Sequence, residues 1–374
     1  MSFDIKRPVW VNIDLENFRH NLKSIKNHIK IGTKIMAIIK ADGYGHGALG
    51  LIDVLKEEGI DRVAVAVLLE ALEIREKYKD VKIMLLGYTP DENLEEVIKN
   101  DITPTIYSFE QAKYLDELGR KNNKKVTIHI KIDTGMHRVG LDIDESTVEE
   151  VKKISKLENI FIEGIYTHFA TADENDKTYT RKQVENFKYI VDRLEDDGVN
   201  IPIKHVSNSA ATIDLPEYNF DMVRPGLIMY GLYPADSQRS KIDLKPVMSL
   251  HSKIFHIKTL KKEEGIGYGL TYTAKTDLKT AVIPLGYADG YFRGLSNKGE
   301  VLIGGKKAKI IGNICMDKFM VDITDLDVKT GDEVILFGEE HPIDELAEIL
   351  GTINYELVCA MSKKRVPKVY KKNN

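Results

Sequence analysis

The chain has only two cysteines, Cys315 and Cys359, in 374 residues. That is too few for a disulfide framework and suits a reducing cytosol. No apolar run approaches the length of a membrane-spanning helix. The start, Met1 to Trp10, carries charges and a proline but no apolar core, so no signal peptide is expected. A strong charge bias is missing too. The formal net charge is -4, which leaves no footprint for nucleic acid or an anionic membrane surface. Repeats and low-complexity segments are absent. Together these absences predict a cytoplasmic protein without nucleic-acid or membrane partners. A basic stretch near the end, Lys363-Lys364-Arg365 to Lys371-Lys372, reads as a solvated tail. The hydrophobic fraction, 43%, is that of an ordinary globular chain, and the length suggests two domains.

The most informative stretch is Lys34 to Gly47. Ile35 to Ile39 is an apolar run that suits a strand buried on both faces. It stops at Lys40, and Gly43, Gly45 and Gly47 follow. Burying an ammonium costs several kcal/mol, so a strand-end lysine calls for an anion partner or a role as an amine. A desolvated lysine loses pKa and becomes a nucleophile, as in Schiff-base chemistry. The plainer alternative is a lysine snorkelling out of a strand end.

Read in order, Val9 to Ile13 alternates like a short strand. Asp14 is placed to cap a helix with Leu15, Phe18, Leu22 and Ile25 on one face. Strand-like runs follow at 63–67, 83–86, 104–107, 126–132, 161–168, 203–207 and 222–224. Amphipathic stretches lie between them at 48–58, 69–78, 93–99, 109–122, 146–156 and 178–197. Counting the first strand, this makes about eight βα units in roughly 235 residues, the usual size of a (β/α)8 barrel. An open doubly wound sheet is the alternative. In a barrel, active-site groups sit at the C-terminal ends of strands. Lys40, Asp133 to Arg138, Thr167-His168, Ser207-Asn208-Ser209 and Arg224-Pro225-Gly226 each follow a different predicted strand. Polar groups delivered to one face by so many strands predict a site there.

Beyond Asp236 the pattern changes to short alternating runs punctuated by glycine, from Leu250–Ile257 to Glu333–Phe337, with one short helix at Ile343–Leu350. That predicts a mostly antiparallel β domain. The expected division is 1–240 for the barrel and 241–374 for the β domain.

Lys40-Ala41-Asp42-Gly43-Tyr44-Gly45-His46-Gly47 resembles the pyridoxal-phosphate signature of alanine racemases. Further motifs follow in that family's order. Tyr268-Gly269-Leu270-Thr271-Tyr272 resembles its Tyr-Gly-x-Thr-Tyr stretch. Gly286-Tyr287-Ala288-Asp289-Gly290 matches Gly-Tyr-Ala-Asp-Gly, and Gly312 to Asp317 resembles Gly-x-x-Cys-Met-Asp. The resemblance runs from Val9-Trp10 to Arg365-Val366-Pro367. Departures are small: Val11-Asn12 before Ile-Asp, His137 where glycine is frequent, and Asn313 for a common arginine.

The resemblance implies a pyridoxal 5'-phosphate enzyme that interconverts L- and D-alanine and supplies D-alanine for cell-wall peptidoglycan. Lys40 would hold the cofactor as an internal Schiff base and, once freed, act as the base for D-alanine. Tyr268 would be the base for L-alanine. Tyr44, Ser209, Gly226, the Leu227 backbone and Tyr355 would hold the cofactor phosphate, with Asn208 beside it. Arg224 would face the pyridine nitrogen. An arginine gives up its proton only above about pH 12, so the nitrogen would stay unprotonated and the ring a weaker electron sink. His168 and Arg224 would form a hydrogen-bonded chain with Tyr268, which needs such help because tyrosine normally ionises near pH 10. Arg138 and the Met316 N–H would bind the substrate carboxylate. Lys131, carbamylated in several members, would position Arg138. Tyr287 and Asp317 would line the entrance. The family also implies a head-to-tail homodimer, in which the second subunit supplies Tyr268, Tyr287 and Met316. No metal is expected. The rival readings are a racemase of other small amino acids such as serine, a barrel-type amino-acid decarboxylase, and a non-catalytic pyridoxal-phosphate carrier.

Overall fold

The computed structural model describes residues 7–361 and 365–371. Lys363, Lys364 and Lys372 of the basic tail lie outside them. The first strand, β1 (Val9–Asp14), buries Val9, Val11 and Ile13 as its alternation predicts. It does not open the barrel, however. Its partners are Met248–Lys253, antiparallel, and Lys368–Lys371, parallel. Alternation is compatible with either sheet, so the pattern alone could not assign it.

The barrel unit comprises Arg19–Gly43 and Leu51–Leu244. Its strands are β2 (Lys34–Ile38), β3 (Arg62–Val65), β4 (Lys82–Leu85), β5 (Ile102–Ile106), β6 (Val126–Lys131), β7 (Ile160–Tyr166), β8 (Ile203–His205) and β9 (Met222–Val223). Among the described residues they form one eight-stranded sheet in the order β8-β7-β6-β5-β4-β3-β2-β9, every pair parallel. Hydrogen bonds from Asp221 N to Lys204 O (3.1 Å) and from Arg224 N to Ser207 O (3.0 Å) join β9 to β8 and close it. The helices Leu68–Lys77, Leu94–Lys99, Phe109–Lys121, Glu145–Ser155 and Thr178–Asp196 fall where the amphipathic stretches predict them. Burial on both faces explains the near-continuous apolar strand sequences. Because the strands all run parallel, their C-terminal ends and the polar groups that follow them share one rim.

Among the described residues, the second unit comprises 7–18, Tyr44–Gly50 and those from Lys245 to Lys371. Its strands are β10 (Met248–Lys253), β11 (His256–Leu260), β12 (Gly265–Ile266), β13 (Tyr272–Thr273), β14 (Leu278–Ile283), β15 (Glu300–Ile303), β16 (Lys306–Ile311), β17 (Phe319–Asp322), β18 (Glu333–Phe337) and β19 (Lys368–Lys371). Among the described residues, a nine-stranded sheet runs β11-β14-β17-β16-β15-β18-β10-β1-β19, antiparallel except for the β1–β19 pair, and β12 and β13 form a separate hairpin. The helix Ile343–Leu350 has its predicted bounds, and a second helix, Asn354–Ala360, follows it. The long stretch of this unit begins at Lys245. Residues 7–18 and 44–50 belong to it as well, unlike the division expected at 240. Strand β1 is held by the β10 and β19 ladders, and Gly47 packs so closely on Tyr370 that a Cβ would lie 1.9 Å from its hydroxyl. Among the described residues no helix is long and apolar enough to cross a membrane.

Candidate active site

Lys40 follows the buried end of β2 and is half-buried. The glycine-rich stretch after it is not an open loop but a left-handed turn. Ala41 (φ 53°), Asp42 (φ 53°), Gly43 (φ 63°), Tyr44 (φ 52°) and Gly45 (φ 80°) are all left-handed in succession. A non-glycine residue there costs about 1–2 kcal/mol, and such strain concentrates at functional sites. Glu70, on the helix after β3, braces the turn. Its carboxylate accepts from Ala41 N (2.5 Å), Ala66 N (2.9 Å) and Val67 N (3.3 Å). Neither the turn nor Glu70 was picked out from sequence. A glutamate at the third position of a helix is the signal that could have found the brace.

The end of β6 presents Lys131, which is buried, and the loop carrying Arg138, which is exposed. Asp133 shapes that loop by accepting from Gly135 N (3.0 Å), His137 N (3.0 Å) and Arg138 N (2.8 Å), and His137 is left-handed at φ 55°. Burial, then the charges of Arg138 and Arg224, pushes the Lys131 ammonium down to about 8.

Arg224, at the end of β9, is buried. It donates to the carbonyls of His205 (2.9 Å), Thr167 (2.7 Å) and Val206 (3.1 Å), to His205 Nδ1 (3.0 Å) and to His168 Nδ1 (3.3 Å). Burial lowers its pKa to about 10, which leaves it cationic at neutral pH. Its guanidinium lies 5.2 Å from the centroid of the Tyr166 ring. An arginine only donates, so His168 Nδ1 accepts and the His168 proton sits on Nε2. His168 stays neutral: burial first, then Arg224, Arg138, Lys131 and Lys40, depress its pKa.

Asn208 caps the short helix Ser209–Asp214 by accepting from Ala211 N (3.0 Å). Ser209 Oγ accepts from Gly226 N (2.9 Å), which ties the β8 and β9 ends together. Leu227 opens a 3-10 turn, Leu227–Tyr230, whose first N–H groups have no partner within the turn. Lys40, Lys131, Arg138, His168, Asn208, Ser209, Arg224, Gly226 and Leu227 are thus all carried by the barrel unit. A cationic cluster of Lys40, Lys131, Arg138 and Arg224, with hydroxyl and amide donors nearby, is chemistry for an anionic ligand.

The second unit carries the rest. Tyr44 is buried with its ring 6.1 Å from that of Tyr355. Burial, with Tyr355 and Cys359 nearby, raises its pKa and keeps the phenol protonated as a donor. Three other predicted residues are organised by one segment, 312–317. Asn313 Nδ2 donates to Tyr268 O (2.7 Å), Ala288 N to Met316 O (3.0 Å), and Tyr287 N to Cys315 O (3.1 Å). Gly286 allows this approach, since a Cβ there would lie 2.2 Å from Cys315 O. Asn313, a departure from the family pattern, therefore has a structural task. Asp317 pairs with Arg365 at 2.5 Å. Tyr268 is 76% exposed, Met316 53% and Tyr287 40%, with Leu270 beside Tyr268 at 63%. Cys315 and Cys359 are free thiols.

Two family models match the chain: "Alanine racemase, N-terminal domain" over residues 13–234 and "Alanine racemase, C-terminal domain" over residues 247–370. A curated alanine racemase of Clostridium tetani is 48% identical over 371 residues, covering 97% of this chain and 95% of the relative. The solved structure of alanine racemase from Clostridium difficile is similar at a TM-score of 0.96 and 47% identity, covering 99% of this chain and 97% of the other. That of alanine racemase from Bacillus anthracis with bound L-Ala-P is similar at 0.92 and 35% identity, covering 99% and 97%.

Proposed function

The chain belongs to the alanine racemase family, and from that we infer that it is an isomerase that interconverts L-alanine and D-alanine. Two domain matches in series argue against the single-barrel carrier reading, and an arginine, Arg224, in the place that would face the ring nitrogen argues against the decarboxylase reading. The finer assignments are our proposal, and the observation that carries them is the Arg224–His168 pair beside a strand-end lysine.

The cationic cluster, the Ser209 hydroxyl, held from behind by Gly226 N, and the Leu227 amide fit pyridoxal 5'-phosphate, with Tyr44 and Tyr355 as further phosphate partners and Asn208 next to them. When bound, that cofactor withdraws electrons from the Cα–H bond of an amine joined to it. Lys40 would hold the cofactor, and its amine, once free, would move the Cα proton on one face, for D-alanine. Tyr268 moves the proton on the other face, for L-alanine. Two bases on opposite faces invert the centre without turning the substrate over. A basic tyrosine needs its oxygen stabilised. Neutral His168 offers an Nε2–H donor, fixed in that tautomer by cationic Arg224. Arg138 and the Met316 N–H bind the substrate carboxylate. Lys131, with its pKa lowered to about 8, has enough free amine near neutral pH to react with carbon dioxide, and the resulting carbamate would hold Arg138. Tyr287 and Asp317 narrow the entrance.

We further propose a homodimer in which Tyr268, Tyr287 and Met316 serve the barrel of the partner. The exposure of these residues and of Leu270 supports this, because exposed apolar groups tied by hydrogen bonds to the one segment 312–317 mark an interaction surface. Two free cysteines support a cytosolic location, where the product would supply D-alanine for cell-wall peptidoglycan.

The test uses purified protein with pyridoxal phosphate and L-alanine in deuterated water. Deuterium enters Cα while the enantiomers drift to equal amounts. Tyr268→Phe slows racemisation from the L side by about a hundredfold or more, the scale of a lost general base. Racemisation at the wild-type rate in Tyr268→Phe would remove that tyrosine from the chemistry.

A further inference from the structure

Inside the barrel a line of polar side chains leads away from Arg224. Arg224 Nη1 lies 3.0 Å from His205 Nδ1. His205 Nε2 lies 2.8 Å from His129 Nδ1. His129 Nε2 lies 3.0 Å from Glu163 Oε2, which lies 3.5 Å from the Arg62 guanidinium. Both histidines are fully buried, and the Glu163 side chain is 19% exposed. The line therefore runs from the buried guanidinium to the opposite end of the barrel, where Glu163 meets the groove lined by Lys82, Lys125 and Val126 at the strand starts.

The ends of this line fix its direction. An arginine only donates, so His205 accepts on Nδ1 and carries its proton on Nε2. That proton goes to His129 Nδ1, so His129 carries its own on Nε2 and gives it to the carboxylate. No other arrangement of neutral imidazoles satisfies every contact. Burial depresses the pKa of both histidines, so they are neutral links between a cation and an anion. The hydrogen bond from His129, together with the Arg62 charge, holds the Glu163 carboxyl below its usual range.

The fold is adapted to the line. The β6–β7 register shifts between Ile128 and His129: Ile128 pairs with Ile162, but His129 pairs with Gly164. Glu163 is the extra residue of a bulge, a device that re-aims a side chain. Gly164 leaves room for the imidazole, since a Cβ there would lie 2.5 Å from His129 ring atoms. Tyr166 stacks on His205 at 4.8 Å and 8° and holds its ring plane. Among the described residues, no carboxylate hydrogen-bonds Arg224, whose partners are carbonyls and imidazoles.

We propose that Glu163 is the remote counter-ion of Arg224, coupled to it through His129 and His205, and that all three are positioning residues for the guanidinium. Aligned hydrogen bonds polarise one another in a low-dielectric interior, so the carboxylate acts at a distance its bare field would not serve as well. Arg224 is then oriented from behind by the relay and from the front by His168 and the carbonyls. The functional part of this inference rests on the ring-nitrogen role proposed for Arg224; the relay itself does not.

The test labels the histidines of the full-length protein with 15N and reads their ring nitrogens by long-range 1H–15N correlation, first without cofactor. The wild type should show His129 and His205 both neutral and protonated on Nε2. Glu163→Leu should shift the nitrogens of His205, two links away, while Glu163→Gln, which keeps an acceptor oxygen, should restore most of the pattern. With pyridoxal phosphate, Glu163→Leu should lower kcat about tenfold with the alanine KM changed less than about twofold, and Glu163→Gln should recover most of kcat. A wild-type His205 protonated on Nδ1 overturns the relay without need of any variant, should Glu163→Leu fail to fold. So do unchanged His205 nitrogens and unchanged kcat in a folded Glu163→Leu. A wild type that leaves alanine unracemised overturns the proposed chemistry instead, while the histidine spectra still decide the relay.

Discussion

At the scale of the residue, the most unusual feature is the backbone after Lys40. Ala41 sits at φ 53° with its side chain exposed, so it bears left-handed strain without packing in return. Ala41→Gly is expected to stabilise the fold by about 1 kcal/mol net, because relief of the strain outweighs glycine's greater unfolded-state entropy. Denaturant unfolding checks this; destabilisation would mean that the Ala41 methyl makes a contribution of its own. Lys40 itself was legible in the sequence as a charge ending an apolar run. The turn was not, because neither alanine nor aspartate at 41 and 42 announces left-handed backbone as a glycine would. Glu163 and His129 were missed for a related reason. Both interrupt apolar strands, but only the bulge reveals that Glu163 turns to meet the imidazole.

At the scale of the element, the barrel helices were readable to within a residue or two because amphipathic spacing is local. The membership of β1 was not, since an alternating strand fits whichever sheet its partners offer. The turn Gly286–Gly290 shows how an element can be fixed by one buried charge. Asp289 accepts from Arg7 at 2.6 and 2.8 Å and from Gly286 N at 3.0 Å, and Arg365 lies 3.2 Å away. These contacts outweigh burial and hold its carboxyl below the usual range. The sign follows from that lowered folded value. The stabilisation is fully present above the ordinary carboxylate pKa and is lost as the pH falls through the folded one. Asp289→Asn is expected to cost about 2 kcal/mol near neutral pH, with the gap from wild type closing in acid. Unfolding curves across that range measure it; a gap that widens in acid would contradict the ion-pair account.

At the scale of the whole molecule, the predicted site residues divide between two units of one chain. The barrel carries the lysine, the arginines and the histidine, and the β unit carries the tyrosines and Met316. Motif order made both sets legible, but no sequence pattern tells which copy of the chain serves which barrel. The central claim is that Lys40 of one subunit and Tyr268 of its partner act on the same Cα. Co-expression of Lys40→Ala with Tyr268→Phe tests it most directly. Each variant alone should be nearly inactive. Random pairing makes about half of the dimers mixed, and each mixed dimer regains one intact Lys40–Tyr268 pair, so about a quarter of wild-type activity should return. A mixture as inactive as its components would place both bases in one chain and contradict the account.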